Sequence, residues 1–195
     1  MHVTRSLIAM FAFVTLVAAP AWAGPPLICH ANDIGSQHSL PWLSTNGWNG
    51  ADPAYDLSRL TGDTLALLAP GTPVVVRMET LRRAAIYSAR QTGLSDQITI
   101  YLLSRVASSE LSGKPDPYAL FDAGYFIETL REAALVYPML HGTEHDAWMI
   151  RTVNETIDGL ALIRAAVRMG GTDMQPALAV VERGRAYSVV PSAGT

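Results

Sequence analysis

"DPYALFDAGYFIETLREAALVY", Asp116 to Tyr137, is the stretch whose reading decides the fold. Asp-Pro is a helix start: the carboxylate caps a free N–H, and proline suits the first helical position because its φ is fixed and it has no donor to lose. Leu120, Gly124, Ile127, Arg131 and Ala134 then recur at intervals of three and four and share one helical face. Tyr118, Phe121 and Tyr125 flank that face. With Phe126 and Tyr137 they make the helix aromatic, which places it in a core rather than along a ligand groove. Ser112-Gly113-Lys114-Pro115 breaks the chain before it, and Pro138 and Gly142 interrupt the chain after it.

Helical spacing also fills the chain on either side. Asp52-Pro53 repeats the start signal and is followed by Leu57, Leu60, Thr64, Leu67 and Leu68. Ala69-Pro70-Gly71 stops that segment, and Thr72-Pro73 opens a second one with Val74, Met78, Leu81, Ala85 and Ala89 on one stripe, ending near Thr92-Gly93. Ser95 is the expected cap of a third helix holding Ile98, Leu102 and Val106. After the fourth helix, Ile150, Val153, Ile157, Leu160, Ile163 and Val167 predict one long helix that ends at Gly170-Gly171. Thr172 or Asp173 then caps a last helix reaching about Arg183. Runs of β-branched residues all continue at helical spacing. The expectation is an all-α domain, a bundle or short α-solenoid of about six to seven antiparallel helices joined by short loops.

The chain ahead of the helices divides in two. Arg5, the apolar run Leu7 to Ala19, and Ala21-Trp22-Ala23 read as a secretory signal, cleaved so that the mature chain begins at Gly24. Residues 24–52 are rich in Pro, Gly, Asn and Ser and show no helical period, yet carry Leu27, Ile28, Ile34, Leu40, Trp42 and Trp48. So many apolar side chains predict an extended N-terminal arm docked on the body rather than a disordered tail. The expected divisions are a signal peptide at 1–23, the arm at 24–52, an all-α domain at 53–187 and a frayed tail at 188–195. The protein is thus expected outside the cytoplasm, periplasmic or secreted, with no transmembrane segment once the signal is removed.

Composition excludes some functions. The formal net charge is −3, so no electrostatic grip on nucleic acid is expected. Cys29 is the single cysteine, so no internal disulfide can form and stability must come from packing. There is no phosphate-binding glycine loop and no nucleophile-elbow motif.

The sequence offers three candidate sites. "HGTEH", His141 to His145, has the H-x-x-E-H form of the inverzincin metallopeptidases. That resemblance implies a zinc ion held by His141 and His145, with Glu144 as the general base. Two histidines four apart can share a metal only on one helical face, whereas Gly142 inside the motif and Thr143 as a cap place His141 outside a helix. The bland reading is a polar helix start. Cys29, His30 and His38 form a second metal or thiol candidate, set against a Cys29 packed under the helices with His30 at the surface. Cys29-His30 matches half of a haem-attachment motif, but Pro26 stands where the first cysteine belongs. The third candidate is a partner surface: Arg77, Arg82, Arg83 and Arg90 on the second helix, pairing with Glu79 at three and four residues and expected on a solvated face.

"ETLRRAAIY" from Glu79 and "ETLREAALVY" from Glu128 echo each other, without a constant period along the chain. Helical hairpins with Ala and Gly at close contacts, over Asp52 to Arg183, loosely resemble tetratricopeptide-type solenoids, although the Trp-Leu-Gly-Tyr spacing of that family is missing. The resemblance implies a peptide- or protein-binding surface and assigns no residue to it. The expected function is therefore an exported, non-enzymatic binding or assembly module for a protein or peptide, with no cofactor. The alternative is a zinc-binding protein or zinc-dependent hydrolase at HGTEH.

Overall fold

The computed structural model describes residues 24–136 and 156–189. Within them six α-helices form a bundle without a strand: α1 Leu60–Leu67, α2 Val74–Ser88, α3 Leu94–Leu111, α4 Pro117–Ala133, α5 Gly159–Arg168 and α6 Gln175–Val189. The all-α expectation holds. No helix among the described residues is long and apolar enough to cross a membrane.

The fourth helix is the axis. Asp116 caps it through a 2.8 Å bond from the Tyr118 N–H, with Pro117 at the first position, as the sequence predicts. It packs against α2, α3, α5 and α6. The single apolar face expected for it is an underestimate, because α4 is buried nearly all round: Phe121, Tyr125, Phe126 and Ile127, but also Asp122, Glu128 and Glu132, are out of contact with water. A helix surrounded by other helices needs apolar side chains on every face, or polar ones that the neighbours neutralise.

Two close approaches fix its partners. A methyl group on Gly124 would sit 2.5 Å from the Gly159 carbonyl oxygen, and one on Gly159 would sit 2.6 Å from that of Gly124. Glycine at both points lets α4 and α5 meet backbone to backbone. On the other side of the bundle, α3 ends in a Schellman turn: Gly113, at φ 69°, donates to Glu110 and Lys114 donates to Ser109.

Four helix boundaries differ from the sequence reading. Asp52-Pro53 makes a turn in which the Asp52 side chain accepts from the Ala54 N–H. The chain becomes helical only at a 3-10 turn, Leu57–Arg59, capped by Asp56. Gly93, at φ 85°, rather than Ser95, stands at the N-cap of α3. The long helix expected to continue to Val167 is not helical at Ile157 and Asp158, and α5 starts afresh at Gly159 because Asp158 caps it through the Ala161 N–H. The last helix runs to Val189, past its expected end near Arg183.

The arm is docked, as its composition predicts. Pro25, Pro26, Leu27, Ile28 and Leu40 are buried, and Trp42 and Trp48 pack against the core. Leu27, Ile28 and Leu40 bury essentially their whole side chains, each worth about 1.5–3 kcal/mol.

Candidate functional site

The polar chemistry of the molecule is concentrated where the arm lies on α2, α4 and α6. The body holds this extended segment mainly by its backbone. On α4, Glu132 Oε2 accepts from the N–H groups of Leu27, at 2.6 Å, and Ile28, at 3.2 Å. On α2, Glu79 accepts from the Asn32 N–H at 2.9 Å. Arg82 donates to the carbonyls of Ile28 and Trp48, and Arg83 donates to that of Leu40 at 2.6 Å. The Tyr87 hydroxyl donates to the Pro41 carbonyl and accepts from the Asp52 N–H, and Arg90 donates to the Asp52 carbonyl. Helical spacing along α2 brings Glu79, Arg82, Arg83 and Tyr87 to the side the arm crosses, and Arg90 follows in the turn just past its end. The indole of Trp42 closes the contact, with the Arg82 guanidinium 4.8 Å and that of Arg83 5.3 Å from the ring centre.

This overturns the solvated-face expectation for the arginines. The Glu79 pairs at three and four residues do form, to Arg82 and Arg83. Yet Arg82 is fully buried, Arg83 is mostly covered, and only Arg90 is exposed. The surface that Arg82, Arg83 and Arg90 serve is occupied by the chain's own arm. Arg77 is also buried and works elsewhere. It pairs with Asp122 at 2.7 Å and donates to the carbonyls of Ala69 and Thr72, so it fastens the α1–α2 loop to α4. A fully hydrogen-bonded guanidinium can be buried where a bare charge cannot.

Four buried carboxylates lie in this framework, and their partners differ. Burial pushes Glu79 up, but its bidentate bonds to Arg82, the Asn32 N–H and Arg83 outweigh this and hold it below the ordinary glutamate value. Glu128 accepts from Arg131 and Arg185 and from the Leu160 N–H, tying α5 and α6 to the axis. Asp122 faces Arg77 and, at 3.1 Å, Arg105; burial still pushes it up to about 6, against the pull of both guanidinium groups. Glu132 faces no guanidinium within ion-pair distance among the described residues. Burial pushes it up to about 7, against the pull of the two arm N–H groups. Its Oε1 has no hydrogen-bond partner among the described residues and lies against Gly184 of α6, where any side chain would collide with it.

The remaining candidates are dispersed. Cys29 is half-buried against the core, its thiol pushed up to about 11 by burial and by the charge of Glu132, against the pull of Arg82. That environment disfavours a thiolate nucleophile. His30 is half-buried with Nδ1 shielded from solvent, rather than at the surface. His38 is exposed and lines an open groove with Gln37, Leu67, Pro70 and Val76, beside the α1–α2 loop. Cys29, His30 and His38 do not come together, and no group of three metal-ligating side chains occurs among the described residues. A turn closed by the Cys29 N–H on the Pro25 carbonyl directs Cys29 inward while the chain carries His38 away. His141, Glu144 and His145 lie outside the described residues.

The sequence reading missed Glu132, Glu128 and Asp122. Their signal is present: three acids within an aromatic helix whose neighbours supply arginines. Compared with protein-family models, with curated proteins and with solved structures, the chain matches none.

Proposed function

We propose that the protein is an exported assembly module without catalytic activity, which binds protein through the outer face of α3, first of all a second copy of itself. The observation that carries this reading is the composition of that face. Gln97, Ile100, Tyr101, Ser104, Ala107, Ser108 and Leu111 are all exposed and none is charged. Ile100 is 63 % exposed, Tyr101 51 % and Leu111 90 %, on a helix otherwise firmly packed on α4. Uncharged side chains recurring at three and four are the seam pattern of paired helices. The order is self-complementary: in an antiparallel pair, Ile100 meets Leu111 of the second copy while Ser104 meets Ala107, so small residues lie at the centre and large ones at the ends. A two-fold interface requires this kind of symmetry.

Sedimentation of the mature chain over micromolar to submillimolar concentration tests it. A dimer that becomes monomeric in the Ile100→Glu, Leu111→Glu double variant, with melting temperature unchanged, supports the reading. A monomer throughout the range overturns it.

A further inference from the structure

Of the buried carboxylates, Glu132 alone takes its strongest contacts from the arm. We propose that Glu132 is a proton-operated latch: the arm is held closed over α4 when this side chain is protonated, and is released more readily when it is ionised.

The geometry is that of a weakly compensated buried charge. Glu79, Glu128 and Asp122 each meet guanidinium groups within ion-pair distance, while Glu132, among the described residues, has only the N–H groups of Leu27 and Ile28 on Oε2 and the more distant charge of Arg131. Oε1 is shielded from water and has no donor among the described residues, and the arm's own Leu27 and the glycine face of α6 close the space around it. Ionised, the group holds a charge away from water with two bonds to compensate it. Protonated, it keeps a carbonyl oxygen to accept those bonds and loses the charge. Opening the arm exposes the carboxylate to water and removes the penalty.

The sign follows by linkage. The closed-state value, about 7, lies above the ordinary 4.5, so the closed arm binds the proton more tightly than the open one. This contribution to docking is complete below pH 4.5 and is lost as pH rises through about 7. The charged and titratable groups around Glu132 are Cys29 and His30 on the arm, Glu79 and Arg82 on α2, Tyr125, Glu128 and Arg131 on α4, and Arg183 and Arg185 flanking Gly184 on α6. Its arginine partners hold Glu79 below the ordinary glutamate value, and Glu128 lies between Arg131 and Arg185; His30, on the arm itself, is the group to control for.

Cys29 sits on the latch segment and reports its opening. In the mature chain, alkylation of Cys29 is measured from pH 5 to pH 8, each rate divided by that of the unfolded chain at the same pH to remove the thiol's own ionisation. The normalised rate should rise about 70-fold over that range in the wild type. The rise should vanish in Glu132→Gln and persist in His30→Gln. A flat wild-type profile, or an unchanged rise in Glu132→Gln, overturns the proposal. Should Glu132→Gln fail to fold, hydrogen exchange at the Leu27 and Ile28 amides of the wild type decides: protection that falls with pH by a similar factor supports the latch, and pH-independent protection overturns it.

Discussion

Arg82 does the most with one side chain. It neutralises Glu79 bidentately, donates to two carbonyls of the arm and lies over Trp42. Removing it leaves a buried carboxylate with Arg83 as its one remaining ion-pair partner among the described residues. Arg82→Ala should cost about 3–5 kcal/mol of unfolding free energy. Arg82→Lys should recover little of that, because an ammonium cannot form the planar pair of bonds. Urea denaturation of the three proteins checks both statements; a lysine variant as stable as wild type would show that charge alone matters here. The pairing of Glu79 with Arg82 and Arg83 was legible from spacing, whereas the burial of the arginines was not. Residue spacing along one helix does not reveal what lies across it, and the arm that covers α2 is remote in sequence.

The legibility of the helices depended on where their boundaries are decided. The start of α4 is local, made by Asp116 and Pro117 alone, and it was read correctly. Asp52-Pro53 carries the same two residue types but makes a turn: the Asp52 carbonyl accepts from the Tyr55 N–H, three residues on, and from Arg90, while its N–H is held by Tyr87. The start of α5 is settled both locally and from outside: Asp158 caps it, while Glu128 takes the Leu160 N–H and Gly159 meets the backbone of α4. Local propensity yields when a distant element satisfies the backbone better. The α4–α5 contact makes a sharp prediction. Gly159→Ala removes a flexible residue from the start of a helix, which by itself favours folding. It also drives a methyl group into the Gly124 carbonyl, so the net effect should be a loss of about 1–3 kcal/mol. Thermal unfolding would show this, and a raised melting temperature would mean that the two helices can part at little cost.

For the molecule as a whole, the arm is a structural layer rather than an appendage. Deleting Gly24 to Trp48 strips the apolar contacts of Leu27, Ile28 and Leu40 and leaves Glu132 without its arm donors. The truncated chain should lose several kcal/mol, at about 1.5–3 for each large side chain uncovered, and should bind a hydrophobic dye. Calorimetry that found an unchanged melting temperature would reduce the arm to a linker. The arm's docking was legible from its apolar content, but its anchor was not, because Glu132 lies 105 residues from Leu27.

That separation has a consequence for the order of assembly. The pocket for Leu27 is completed by Gly184, which belongs to the last helix. A chain emerging from the ribosome amino end first therefore holds the Leu27 segment with nowhere to put it until α6 has been made. Contacts between segments so far apart are slow to form. The arm is made before every helix yet is among the last parts that can settle, and until it does, the partly made protein remains open to whatever handles nascent chains.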